Sequence, residues 1–197
     1  MNDAQIRTSF HRKKLSKHHK APDTLVIDEL GLQHGRCRAD IAVINGHFLG
    51  FEIKSDQDSL RRIPKQVKAY STIFDKATLI VGQHHLKAVE KLIPQWWGLT
   101  SASTDQRGEV RFETVRPAAW NPLTDDFAVA QLLWRNEAEE ELANRGVSGG
   151  ILRQKRSVLY HELIKLLDPR ELRQVVRAHL KNRTGWRRPA PPSRRDD

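Results

Sequence analysis

Cysteine is nearly absent: Cys37 is the single one in 197 residues. That excludes an internal disulfide framework and the zinc modules built on cysteine pairs, and it points to a reducing, cytoplasmic setting. Long apolar runs are missing too, so no segment is long enough to span a bilayer, and the N-terminus lacks the apolar core of a signal peptide. A membrane partner is therefore not expected. Aromatic residues make up only 7%. Hydrophobic residues still reach 38% against 29% charged, enough to bury a core rather than remain disordered.

What is abundant is positive charge. Lysine and arginine number 34 against 24 acids, a net +10, which favours an anionic partner such as nucleic acid. The excess sits at the ends. Residues 1–20 carry +5, residues 21–120 only +1, residues 121–146 carry −4, residues 147–181 carry +5 and residues 182–197 carry +3. Basic ends of this kind hold phosphates without reading sequence, although solubilising termini would show the same pattern.

Periodicity and breakers divide the chain into a basic N-terminal arm (1–20), an α/β core (21–120), a helical appendage (121–181) and a disordered basic tail (182–197). Thr24–Leu32 fits helix or strand, and a helix or helical turn capped by Asp23 or Thr24 is favoured. Arg38–Lys54 reads as two β-rich runs around Asn45-Gly46, a strong hairpin signal. Leu60, Ile63, Val67, Tyr70 and Phe74 fall at helical spacing. Ala77–Val81 reads as a strand, His84–Ile93 as a helix, and Gly98–Ser103 and Glu109–Val115 as two more strands. Phe127–Arg145, Ile151–Leu167 and Pro169–Leu180 read as helices, the last capped by Asp168. The order predicts a mixed β-sheet flanked by helices.

The chemistry lies on the hairpin. Asp40 stands on its first strand, and Glu52 and Lys54 share one face of its second because side chains alternate. A two-residue Asn45-Gly46 turn would pair Asp40 with Phe51 and separate the two acids. A three-residue loop Ile44-Asn45-Gly46, with Gly46 left-handed, would pair Asp40 with Gly50 and bring all three charges together. Two carboxylates beside a lysine suit metal-assisted phosphodiester hydrolysis: hard oxygens hold Mg²⁺, and the lysine stabilises developing charge. A salt bridge on a solvent-facing hairpin is the alternative.

Asp40 followed by Glu52-Ile53-Lys54 inside a hairpin resembles the PD-(D/E)xK phosphodiesterase superfamily and, within it, a set of bacterial and phage proteins. The likeness covers roughly residues 24 to 103. It implies a restriction-endonuclease-like fold and a Mg²⁺-dependent nuclease acting on DNA, with Mn²⁺ able to substitute. Asp40, Glu52 and Lys54 would then be catalytic. Glu29, Asp40, Glu52 and the Ile53 carbonyl would be metal ligands, with Glu29 supplied by a preceding helix. Ala39 stands where the motif name has proline. Gln66 and Tyr70, four apart and on one helix face, resemble the QxxxY element of RecB-type and lambda-exonuclease-like nucleases. By that likeness they orient the site and contact the DNA end or backbone. Arg36 and Arg38 flank the site and read either as phosphate contacts or as members of a surface salt bridge. Asp56 and Asp58 read as helix-entry caps, His84-His85 as a solvated pair and Trp96-Trp97 as core. An RNA-directed nuclease and a noncatalytic nucleic-acid-binding or assembly protein are the alternatives. Oligomeric state is left open, as is the pathway, with DNA repair, mobile-element defence and phage DNA processing all compatible.

Overall fold

The computed structural model describes residues 1–184; the tail expected over 182–197 therefore lies almost wholly outside the described residues. Six strands form one mixed sheet in chain order: β1 (Leu25–Leu32), β2 (Cys37–Ile44), β3 (Phe48–Lys54), β4 (Lys76–Gly82), β5 (Gly98–Thr104) and β6 (Val110–Arg116). The pairs β1–β2, β2–β3 and β5–β6 are antiparallel, whereas β3–β4 and β4–β5 are parallel. The first parallel crossover runs through a 3₁₀ turn at Leu60–Arg62 and helix α3 (Ile63–Ser71). This is a mixed α/β architecture with helices on both faces.

The N-terminal segment is part of the fold and not a projecting arm. Helix α1 (Asp3–Lys13) begins in a capping box, in which Asn2 Oδ1 accepts from Gln5 N–H and Gln5 Oε1 accepts from Asn2 N–H, both at 2.9 Å. With α2 (Ser16–Lys20) it lays Ile6, Phe10 and Leu15 on one face of the sheet, against Val26, Ile41, Val43, Ile53 and Ile80. Apolar residues hidden among the lysines and arginines thus dock the segment.

The opposite face carries α3 and five C-terminal helices: α5 (Asp126–Ala130), α6 (Arg135–Asn144), α7 (Gly149–Leu152), α8 (Arg156–Leu166) and α9 (Pro169–Asn182). Their Val129, Leu142, Tyr160, Leu163 and Val176 belong to the same hydrophobic cluster as Ile44, Phe48, Tyr70, Phe74 and Leu79. The two helices expected over Phe127–Arg145 and Ile151–Leu167 are each broken in two. Asp168 caps α9, accepting from Arg170 and Glu171 N–H. Arg183 Nε donates to Glu137 Oε1 at 2.6 Å in a buried ion pair that ties the end of α9 to α6.

Three further expectations need correction. The segment expected as a helix over Thr24–Leu32 is instead strand β1, Leu25–Leu32. Helix α4 spans only Leu86–Val89, after a 3₁₀ turn at Gln83–His85, instead of running from His84 to Ile93. The β2–β3 loop is Asn45-Gly46-His47, since Ile44 pairs with Phe48, and Gly46 is not left-handed. His47 N–H donates to Asn45 Oδ1 and Asn45 N–H to the His47 carbonyl, so an Asx turn closes the loop.

Gly50 is fixed by packing. A Cβ there would lie 2.6 Å from Cδ2 of the fully buried Phe74 ring. Gly50→Ala is expected to destabilise the protein by about 1–3 kcal/mol through overpacking, read from urea unfolding; an unchanged midpoint would show that the ring moves aside freely.

Candidate active site

The observed register decides whether the three charges converge. Ile41 pairs with Phe51, Ala42 with Gly50 and Val43 with Leu49, so one further step sets Asp40 opposite Glu52. In the neighbouring pair, Asp28 faces Ile41 and Leu30 faces Ala39, which sets Glu29 opposite Asp40. Glu29, Asp40 and Glu52 therefore form one row across β1, β2 and β3. The loop differs by one residue from the one that sequence parity allowed, but the parity is the same and the acids meet.

At this row the strands open. Ile53 N–H donates to Asp40 Oδ2 at 2.8 Å, so a carboxylate takes the place of a ladder partner. Tyr70, reaching in from α3, puts its hydroxyl between the strands. It accepts from Asp40 N–H at 3.2 Å, lies 3.2 Å from the Phe51 carbonyl and donates to Glu52 Oε2 at 2.6 Å. Glu29 has a left-handed backbone, with φ of 59°. Such a conformation costs about 1–2 kcal/mol for a residue with a Cβ, and it resets the alternation. Ile27 before it and Leu30 after it both enter the same hydrophobic cluster.

Glu52 is fully buried and its carboxylate is held from three sides. Lys54 Nζ and Gln66 Nε2 donate to Oε1, and Tyr70 donates to Oε2. Lys54 Nζ also donates to the Ile53 carbonyl at 3.1 Å and is only 4% exposed. Burial, and then the charge of Asp40, push the Glu52 carboxyl up to about 7, against the pull of Lys54 and Tyr70. Burial beside Glu52 and Asp40 drives the Tyr70 phenol well above its ordinary range, so it stays a donor. The same burial, and Glu52, raise the Cys37 thiol, which suits an inert cysteine.

These groups floor a cleft of about 520 Å³ lined by Glu29, Asp40, Glu52, Ile53, Lys54 and Gln66, with Arg36, Arg38, Arg62 and Lys65 also in its wall. Arg36, Arg62 and Lys65 are exposed and make no ion pair among the described residues. Arg38 is 4.0 Å from Glu29. Of the residues given a catalytic, metal-binding or substrate-binding role from the sequence, all line this cleft except Tyr70, which is fully buried beneath it. The Tyr70 hydroxyl is therefore closed off from the cleft and bonded to Glu52, rather than presented on the surface as a substrate contact would be. Glu29 comes from strand β1, where a helix was expected to supply it. Asp56 and Asp58 cap no helix: Asp56 pairs with exposed His84 at 3.0 Å, Asp58 accepts from Ser55 N–H and Oγ–H, and Ser59 is the cap. Trp97 is buried against Tyr70, as a core residue should be.

Sequence reasoning missed Arg7, Arg62 and Lys65. Arg62 and Lys65 were within reach of it, since they share an exposed helical turn with Gln66. Arg7 was not: it arrives from α1, 33 residues before Asp40.

The donor set suits a hard divalent cation. Asp40, Glu52 and the Ile53 carbonyl offer oxygen only, the preference of Mg²⁺, which keeps several waters and needs few protein ligands. Gln66 Oε1 is buried beside Glu52 and has no hydrogen-bond partner among the described residues, an acceptor suited to a water in such a shell. No group of three or more His, Cys, Asp or Glu side chains among the described residues is arranged to hold a metal; the set here is two carboxylates and a carbonyl.

The sheet and cleft thus define a mixed α/β protein with an acidic centre inside a basic wall. Residues 4–188 match the family described as bacteriophage P4 protein cII, and the chain belongs to that family. It is similar to protein cII of Enterobacteria phage P4, with 28% identity over 165 residues, 82% of this chain and 60% of that protein. The chain therefore spans less than two thirds of that relative's length. No solved structure matches it. Among the described residues, no helix is long and apolar enough to cross a membrane.

Proposed function

We propose that this chain is a Mg²⁺-dependent nuclease that hydrolyses DNA phosphodiester bonds on a restriction-endonuclease-like fold. The observation that carries the reading is the meeting of Asp40, Glu52 and Lys54 in one cleft, with Gln66 and Tyr70 both bonded to Glu52. A salt bridge on a solvent-facing hairpin would be exposed, whereas Glu52 and Lys54 are buried. Burying a charged pair is expensive and seldom improves stability over an apolar pair, which favours a chemical use.

Asp40, Glu52 and the Ile53 carbonyl would hold the cation. When bound, it would polarise the phosphate and lower the pKa of an attacking water. Gln66 and Tyr70 keep the Glu52 carboxylate in one rotamer. Lys54 presents a fixed positive charge where negative charge develops on the phosphate. Arg36, Arg38, Arg62 and Lys65 would bind the backbone through its phosphates, giving affinity without base recognition.

The test is cleavage of linear, circular, nicked and single-stranded DNA, and of RNA, with Mg²⁺ or Mn²⁺, using the full chain and Asp40→Asn. Metal-dependent cutting of DNA that Asp40→Asn loses is the expected result. Comparing linear with circular substrate separates exonuclease from endonuclease. Binding of DNA by both proteins with no cutting would overturn the reading in favour of a noncatalytic nucleic-acid-binding module, and cutting of RNA alone would redirect it.

A further inference from the structure

We infer that Arg7 and the divalent cation compete for one seat, so that helix α1 carries a built-in competitor for the metal. The inference rests on the nuclease reading in so far as that reading places a cation at Asp40.

The Arg7 guanidinium enters from the face of the sheet opposite α3. Its Nη2 lies 3.2 Å from Glu29 Oε1 and 3.3 Å from Asp40 Oδ1. Its Nη1 donates to the Asp40 carbonyl at 2.6 Å and its Nε to Asp3 Oδ1 at 3.3 Å. Three carboxylates and a carbonyl thus surround one planar cation. Burial works against the charge, but Asp40, Asp3 and Glu29 more than offset it and raise the pKa of the guanidinium. Arg7 is charged at every pH of interest.

Glu29, Asp40 and Glu52 stand in adjacent strands, and their mutual repulsion must be met by a cation. In the structure, Arg7 bridges Glu29 and Asp40. A divalent ion seated on the same Asp40 oxygen at roughly 2.1 Å would bring its charge against the guanidinium that bonds that oxygen, so each cation weakens the other's hold on Asp40. Asp40 Oδ2 is engaged by Ile53 N–H, which leaves Oδ1 as the contested atom.

The competitor is firmly delivered. One turn on from Arg7, buried His11 has Nε2 2.9 Å from Asp28 Oδ1 and Nδ1 3.0 Å from His19 Nε2. Ile6 and Phe10 anchor the same helix in the apolar layer. Arg7 itself is among the residues that line the cleft, and its side chain is partly exposed. It can therefore turn into that space when a metal takes Oδ1, with the helix still docked. The displaced charge then faces the volume in which a phosphate would lie.

The experiment is calorimetric titration of Mn²⁺ at pH 8, without DNA, into the full chain, Arg7→Ala, Arg7→Gln and Asp40→Asn. Removing a competing cation is expected to tighten Mn²⁺ binding about tenfold in both Arg7 variants. Their melting temperature should be lower without metal and should rise more on saturation. Asp40→Asn should bind weakly. Arg7→Gln can still donate to the Asp40 carbonyl, and a Mg²⁺-induced shift of the Arg7 Nε–H resonance in the unmutated protein needs no variant at all. Equal or weaker Mn²⁺ binding in the Arg7 variants, with Asp40→Asn still impaired, would overturn the competition and leave the metal site standing. Absence of binding in every protein would overturn both.

Discussion

Lys54→Ala is expected to slow Mg²⁺-dependent DNA cleavage about 10²–10³-fold, the usual effect of removing one preorganised donor from a developing oxyanion. Single-turnover cleavage measures it. Metal binding should persist, because Lys54 supplies no ligand atom. Its Nζ is fixed by Glu52 and by the Ile53 carbonyl at 3.1 Å, so the charge is positioned before substrate arrives. Lys54→Arg should not rescue the rate. The planar guanidinium spreads its charge over a rigid fork and would not set a point charge where Nζ sits between Glu52 and the Ile53 carbonyl. Cleavage by Lys54→Ala within threefold of the unmutated rate would reduce Lys54 to a structural counter-charge for Glu52.

The hairpin that carries this lysine was legible because its signals are local. Asn45-Gly46 marks the turn, and alternation puts Glu52 and Lys54 on one face whatever the partner strand does. Parity was also enough to foresee that Asp40 could join them. It was not enough to place the loop, because Asn45 closes on His47 through its side chain and so displaces the left-handed glycine expected at Gly46. Strand β1 was misread for a sharper reason. Leu25 and Ile27 follow strand spacing, but Ile27 and Leu30 are three apart and face the same way, which imitates a helix. The left-handed Glu29 produces that step, and no propensity scale anticipates a glutamate there. Arg7 was out of reach because its partners are set by the docking of α1 across the sheet. Apolar periodicity in a basic segment could have suggested the docking, but not where the guanidinium would end.

The elevated Glu52 pKa predicts a pH dependence that isolates this one side chain. Its carboxyl rises from an ordinary 4.5 to about 7 in the folded chain. Below pH 4.5 the group is protonated in both folded and unfolded states and contributes no difference. Between 4.5 and 7 the unfolded chain loses the proton first, so the folded state binds more protons and stability falls as pH rises. Integrated over the window, the loss is about 3 kcal/mol, and it is complete above pH 7. Urea unfolding of the metal-free protein from pH 4.5 to 8.5 should show this decline, and Glu52→Gln should lack it. The comparison is of slopes only, because the variant leaves Lys54 without its buried partner. The same proton governs the metal: a cation needs the carboxylate ionised. Its affinity should therefore climb about tenfold per pH unit up to about 7 and level off beyond, and saturating Mg²⁺ should restore at high pH the stability that ionisation removes. Parallel pH profiles for Glu52→Gln and the unmutated chain would show that the carboxylate is already ionised throughout, and that Lys54, Gln66 and Tyr70 outweigh its burial.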